Sequence, residues 1–241
     1  MRSMLSAALG LWLVATAAGA QQQPGDTPQM GEPGVVVELF TSQGCVACPP
    51  ADALLARLVD RPGVIALSLH VDIWDYLGWR DVFARPEFTE RQKAYARAEG
   101  ARSIFTPQMI VGGAYRLQGT RGMDLADRLQ HEATKPRRVH LALRRIGSML
   151  EITAEADPPL ERAATVDLIR YTPEAMVEIV SGENAGRTVT YHNIVTLWES
   201  LGPWDGNGPV AFHVRIDGAD PVVVIVQEVG PGPILAATRS R

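Results

Sequence analysis

"GVVVELFTSQGCVACPPAD", residues 34–52, sets an apolar run, a polar loop, two cysteines and two prolines side by side. The run Val35-Val36-Val37-Glu38-Leu39-Phe40 is short, continuous and rich in β-branched residues, which predicts a strand buried on both faces. After the loop 41–44 come Cys45 and Cys48, the only cysteines of the chain. Pro49 and Pro50 lack a helix-forming N–H, and each disfavours the α conformation in the residue before it. The helix carrying Leu54, Leu55, Leu58 and Val59 therefore starts at Pro49 or Pro50. The CxxC pair then occupies a turn ahead of it, with Cys48 nearer the helix end. Asp52, in the first turn, partly neutralises the positive end of that helix.

Outward from this stretch the pattern continues as α/β. Pro62-Gly63 ends the helix, and residues 64–71 (VIALSLHV) read as a second buried strand, giving a parallel β-α-β unit. The aromatic stretch with Trp74, Tyr76 and Trp79 leads to a helix over 86–99, with Pro86 in its first turn and Gly100 as its stop. Residues 106–111 form a strand, Gly112-Gly113 a hairpin turn and 114–118 its partner. A helix over 124–132 turns Leu125 and Leu129 inward. Past Lys135-Pro136 the period shifts to alternation, as in Val139-Leu141-Leu143, and turn signals recur. About eight strands at this spacing predict a mainly antiparallel β-sandwich-like domain, with a boundary near residue 135. Residues 21–33, rich in Pro, Gly and Gln, read as a flexible lead-in.

The first twenty residues predict export. Arg2 supplies the positive end, residues 4–18 an apolar stretch short for a bilayer, and Ala18-Gly19-Ala20 a small-residue cleavage site. A membrane anchor is the competing reading; a lipoprotein would need a cysteine where Gln21 stands. The expected product is periplasmic or secreted, with no later membrane span. Cleavage removes Arg2 and no acid, taking the formal charge from −4 to −5. A pI of about 5.8 argues against a nucleic-acid surface. Hydrophobic content of 46% and charged content of 21% in 241 residues are globular values.

Export bears on the cysteines. An oxidising compartment favours a disulfide, and zinc would require four ligands where no second cysteine pair exists. A disulfide closing so short a loop removes little unfolded-state entropy, so stability is a poor reason for the pair. A cysteine near a helix N-terminus meets unpaired N–H groups and the positive dipole end, which favour its thiolate. On that argument Cys45 would be the exposed nucleophile and Cys48 the shielded resolving thiol, exchanging through a mixed disulfide.

The order strand, CxxC, helix, strand, and later Thr106-Pro107 before a hairpin and helix, resembles the thioredoxin-like superfamily over residues 34–135. The resemblance implies a central mixed sheet with flanking helices, CxxC at a strand-to-helix junction, and Pro107 as a cis proline facing it. It also implies a buried acid on the first strand that carries the resolving cysteine's proton. Glu38 fits that place with one extra loop residue; its other reading is an acid reaching solvent or an arginine. Beyond this, GVVVELFTSQGCVACPPAD with HVDIWDYLGWRD (70–81) and GRTVTYHNIV (186–195) resembles an exported family called domain of unknown function 1223. That family implies a thioredoxin-like domain with a β-rich tail and no established reaction; Arg187, His192 and Asn193 match it without a nameable mechanism.

The expected function is thus a thiol–disulfide oxidoreductase acting on protein thiols or disulfides through Cys45 and Cys48, with Thr106, Pro107 and Glu38 in support and no cofactor. Two alternatives stand beside it. One is a binding module with an inert disulfide; the other is a Cu(I)-handling protein using Cys45, Cys48 and His70, thiolates suiting a soft ion. A lone histidine in an apolar strand is otherwise a satisfied core residue. Trp74, Tyr76 and Trp79 either line a groove or cover the sheet. His131, His140 and His213 have no ligand spacing, and no nucleophile elbow, phosphate loop or dinucleotide fingerprint occurs.

Overall fold

The computed structural model describes residues 29–240. The expected export signal at 1–20 and residues 21–28 of the expected lead-in lie outside the described residues. The first half runs β1 (Gln29–Met30), β2 (Glu32–Pro33), β3 (Val35–Thr41), α1 (Pro49–Ala56), β4 (Val64–His70), α2 (Pro86–Ala98), β5 (Gln108–Val111), β6 (Tyr115–Gln118) and α3 (Gly122–Ala133). The second half is all strand: β7 (Val139–Ile146), β8 (Met149–Ala156), β9 (Ala164–Ile179), β10 (Arg187–Trp204), β11 (Val210–Arg215), β12 (Val222–Glu228) and β13 (Ile234–Ser240). Residues 29–33, expected within a flexible lead-in, are instead paired: β1 with β7 and β2 with β13. Their backbone groups close open edges of two sheets, which polarity of the side chains does not reveal.

The architecture is mixed α/β around one large sheet. Nine strands follow the order β2-β13-β12-β9-β10-β4-β3-β5-β6, and a smaller sheet has the order β1-β7-β8-β11. β3 and β4 are parallel, as a β-α-β unit requires, while β5 and β6 run antiparallel to them. The sequence pattern placed a boundary near residue 135, but the large sheet runs across it. β10 adds parallel to β4, with Ile194 opposite Ser68, and brings β9, β12, β13 and β2 with it. Without β10, the seven fully buried residues of β4 would present unpaired backbone groups.

Alternation along the strands assigns the two faces. Val37 and Leu39 of β3 pack with Ala51 and Leu55 of α1 and with Leu125 and Leu129 of α3. Val36 and Phe40 face the other way, packing with Phe88 and Tyr95 of α2 and with Ile169, Val223 and Ile225 of the second half. The smaller sheet covers the far end of the first face, where Leu143, Leu150 and Ile152 meet Val166, Leu168, Val222 and Val224. Among the described residues, no helix is long and apolar enough to cross a membrane.

The longest elements are the least foreseeable. β9 and β10, of 16 and 18 residues, pair along nearly their whole length from Ala164–Trp204 to Ile179–Arg187. Their connecting tip, residues 180–186, reaches back to the cysteine loop of the first half.

Candidate functional site

Helix α1 begins where the two prolines permit it, at Pro49, with Cys48 as its N-cap residue in αR geometry and no side-chain cap. Cys48's carbonyl accepts the N–H groups of Ala51 and Asp52, at 2.8 and 3.1 Å. Cys45 sits one turn earlier: its N–H reaches the Ser42 carbonyl, and its own carbonyl accepts the Cys48 N–H, each at 3.1 Å. The two cysteines are joined as a disulfide, with Cα atoms 5.4 Å apart. Cys48 is wholly buried and Cys45 is only 5% exposed, so Cys45, expected as an exposed nucleophile, is itself buried with the disulfide closed. Val46, between them, is 54% exposed and carries the accessible edge of the turn.

Thr106-Pro107 is a cis peptide, as the resemblance implied. Two contacts bring it to the cysteine turn. A Cβ on Gly119 would meet both the Pro107 side chain and the Ala51 side chain, so Pro107 adjoins the first turn of α1. Trp74 donates its indole N–H to Thr106 Oγ1 at 2.7 Å while its Cβ backs directly onto Gly44. Trp74 therefore braces the proline loop against the cysteine loop. Trp79 holds the cysteine loop as well, donating to Gln43 Oε1 at 2.8 Å, whereas Tyr76 is exposed.

Beneath the turn lies a buried polar cluster. Asp52 is four residues beyond Cys48 on α1, hence on the same helical face. Thr41, at the end of β3, donates to Asp52 Oδ1 at 2.8 Å, while Asp52 Oδ2 is buried without a protein partner. Burial pushes the Asp52 carboxyl up to about 6, against opposing effects from His70 and the Thr41 hydrogen bond. His70, at the end of β4, bonds Asp81 Oδ2 through Nδ1 at 2.7 Å and leaves Nε2 buried without a protein partner. The same Asp81 oxygen accepts the Gln43 N–H at 2.8 Å. Tyr191 of β10 stands edge-on to His70, with ring centroids 4.8 Å apart. Burial, then the charges of Asp52 and Asp81, push the Tyr191 phenol up, so it remains a hydrogen-bond donor.

Glu38 does not join this cluster. Strand alternation turns it to the α2 face, away from α1, where Arg91 binds it through Nε at 2.6 Å and Nη2 at 3.0 Å and Tyr95 donates to it at 2.6 Å. The proton-carrying role expected of Glu38 is corrected by this geometry; the arginine-paired reading matches it. Nor do Cys45, Cys48 and His70 form a ligand set. Among the described residues no group of three His, Cys, Asp or Glu side chains is arranged to hold a metal, and Asp81 engages His70 instead.

The second half supplies two residues that motif reading passed over or could not place. Asn184, at the tip of the β9–β10 hairpin, donates its side-chain amide to the carbonyls of Gln43 and Cys45, both at 2.9 Å. Its only sequence signal is a turn, SGENAG, which marks a loop but not what the loop touches. Asn193 adopts φ 47°, a left-handed conformation asparagine tolerates, and donates to the Ala66 carbonyl at 2.8 Å where β10 meets β4. His192 lies near Glu174 at 3.5 Å on the surface side, and Arg187 is exposed where β10 leaves the hairpin tip.

Segments 34–52, 70–81 and 186–195 thus meet around one disulfide. The DUF1223 family model, described as a protein of unknown function, matches residues 36–227 and takes in the second and third of these and all but the first two residues of the first. The chain belongs to the DUF1223 family. A crystal structure of an Agrobacterium tumefaciens protein is similar to this DUF1223 chain at 32% identity and a TM-score of 0.73, covering 85% of this chain and 92% of that one. HBP35 of Porphyromonas gingivalis shares the fold at 14% identity and a TM-score of 0.56, over 87% of this chain and 75% of that one. No curated protein matches the DUF1223 sequence.

Proposed function

We propose that this protein is an exported thiol–disulfide oxidoreductase that exchanges disulfides with other proteins through Cys45 and Cys48, on a thioredoxin-like scaffold. The observation that carries the reading is the cysteine pair at the N-cap of α1 with the half-partnered carboxylate of Asp52 buried one turn behind it. A disulfide kept only as a staple has no use for a buried acid there, since burying an unpartnered carboxylate oxygen costs stability.

The exchange runs as two displacements. The Cys45 thiolate attacks one sulfur of a partner disulfide; an S–S bond forms between protein and partner, and one partner thiolate leaves. The Cys48 thiolate then attacks the Cys45 sulfur, closing Cys45–Cys48 and releasing the second partner thiolate, so the partner gains two electrons and this pair loses two. Cys48 is buried, so its proton must pass to a nearby group, and in this reading Asp52, four residues on along the same helical face, takes it. The exposed edge at Val46 and the Thr106-Pro107 loop are the surfaces a partner chain would contact. Burial of both cysteines favours a second reading, a locked disulfide in a binding module, which predicts resistance to physiological dithiols.

Removing the resolving thiol separates the two. A Cys48→Ala chain, exposed to an unfolded protein carrying disulfides, is expected to accumulate a covalent adduct through Cys45 that dithiothreitol dissolves. No adduct, with Cys45 confirmed as a free thiol by mass spectrometry, would exclude the oxidoreductase reading.

A further inference from the structure

We propose, resting on the redox reading, that Asn184 is a positioning residue for the cysteine pair, and that through it the hairpin tip sets how readily the Cys45–Cys48 disulfide forms. The oxygen that Asn184 holds is the one that closes the turn: Cys45 O accepts both the Cys48 N–H and the Asn184 amide. Anchoring it fixes the conformer in which the two Cα atoms stand 5.4 Å apart. Both partners of Asn184 are carbonyls, so only its NH2 end can face them. The side chain is 2% exposed and its Oδ1 is buried without a protein partner. A residue present merely to pack the tip would carry no such unpaired oxygen.

The tip has separate means of docking. Ser181 donates to the Gly78 carbonyl at 2.7 Å. Gly182, at φ +76°, comes so close to Trp79 that a Cβ would lie 3.0 Å from it. Gln43 is held independently, by Asp81 on its backbone N–H and by Trp79 and Val82 on its side chain. What Asn184 adds is the hold on Cys45. In the reduced protein this hold keeps the two thiols near their bonded arrangement, raising their effective concentration and favouring the disulfide.

The test equilibrates the full chain in glutathione buffers. Two glutathione thiols become one glutathione disulfide as Cys45–Cys48 takes up two electrons and two protons; alkylation and mass spectrometry read the reduced fraction. Asn184→Ala is expected to shift this equilibrium about tenfold toward the dithiol, equivalent to about 30 mV. Asn184→Leu, close in size but without a donor or a charge, shifts it the same way and covers the case in which the alanine variant misfolds. Ser181→Ala loosens docking without touching the cysteine turn and leaves the equilibrium within twofold of the parent. An unchanged equilibrium in both Asn184 variants, or an equal shift in Ser181→Ala, would overturn the proposal. The small-thiol equilibrium does not depend on exchange with proteins, so an absent adduct in Cys48→Ala removes the proposed function while leaving this result to stand or fall by itself.

Discussion

Replacing Arg91 with alanine is expected to destabilise the protein by roughly 3–5 kcal/mol, the cost of leaving a buried charge without its partner. Glu38 is wholly buried, and the Arg91 side chain is 13% exposed. Arg91 binds both Glu38 oxygens and also reaches Tyr95 Oη and Gln227 Oε1, each at 2.9 Å. Its guanidinium lies 3.7 Å from the Trp198 ring centroid. Burial and the Glu38 charge push the Tyr95 phenol well up, so it stays protonated and donates to the carboxylate. Because Gln227 belongs to β12 and Trp198 to β10, the network ties α2 to strands from the far half of the chain.

The loss should appear as a lower urea midpoint at unchanged m-value. Exchanging both partners for apolar residues, Glu38→Leu with Arg91→Met, should recover much of it, since an intact buried pair is often worth little more than well-packed apolar side chains. A loss below about 1 kcal/mol in Arg91→Ala would show that the pair does not hold the halves together. Glu38→Gln should leave the pH dependence of cysteine exchange unaltered, a result that separates it from Asp52.

Asp52→Asn is expected to make the protein more stable at alkaline pH and equally stable near pH 4. The Asp52 carboxyl is raised from 3.8 to about 6, burial being the main cause and Asp81 adding to it, while His70 and Thr41 oppose it. The folded state therefore holds this proton more tightly than the unfolded chain does. The corresponding stability is fully present below about pH 4 and is lost as pH rises through about 6, to the extent of about 3 kcal/mol. Asparagine removes the ionisation yet still offers Oδ1 to Thr41. Urea midpoints of parent and variant should accordingly diverge between about pH 4 and 6, with the variant higher, and stay apart above that. Parallel curves across that window would exclude an ionising, buried Asp52. In the proposed exchange the same variant should slow closure of Cys45–Cys48, because the group holding the Cys48 proton is gone.

Much of the first half was legible in the sequence because its signals are local. The β-branched runs at 35–40 and 64–71 became β3 and β4, and Pro49-Pro50 placed the helix start one residue past Cys48. Gly112-Gly113 made the β5–β6 turn, both residues at positive φ. The cysteines, Thr106 and Pro107 came together. Glu38 could be read as buried but not which way it pointed relative to the cysteines, since that depends on which helix covers which face. Asp52 was legible only as a charge near a helix end; its burial follows from Thr41, His70 and Tyr191, which arrive from three strands.

By itself, then, the sequence determined the order of strands and helices around the CxxC turn, the pairing capacity of its two cysteines, and family membership through three motifs. Local stereochemistry suffices for these: proline at a helix start, branched residues in a buried strand, glycine in a turn. Tertiary structure alone decided that the β-rich half continues the sheet through β10 on β4, that Glu38 serves Arg91, and that Asn184 grips Cys45 from 139 residues away. Each of these turns on which edge or face a distant segment occupies, and the demand that buried backbone and charged groups find partners is met only once the whole chain has closed around them.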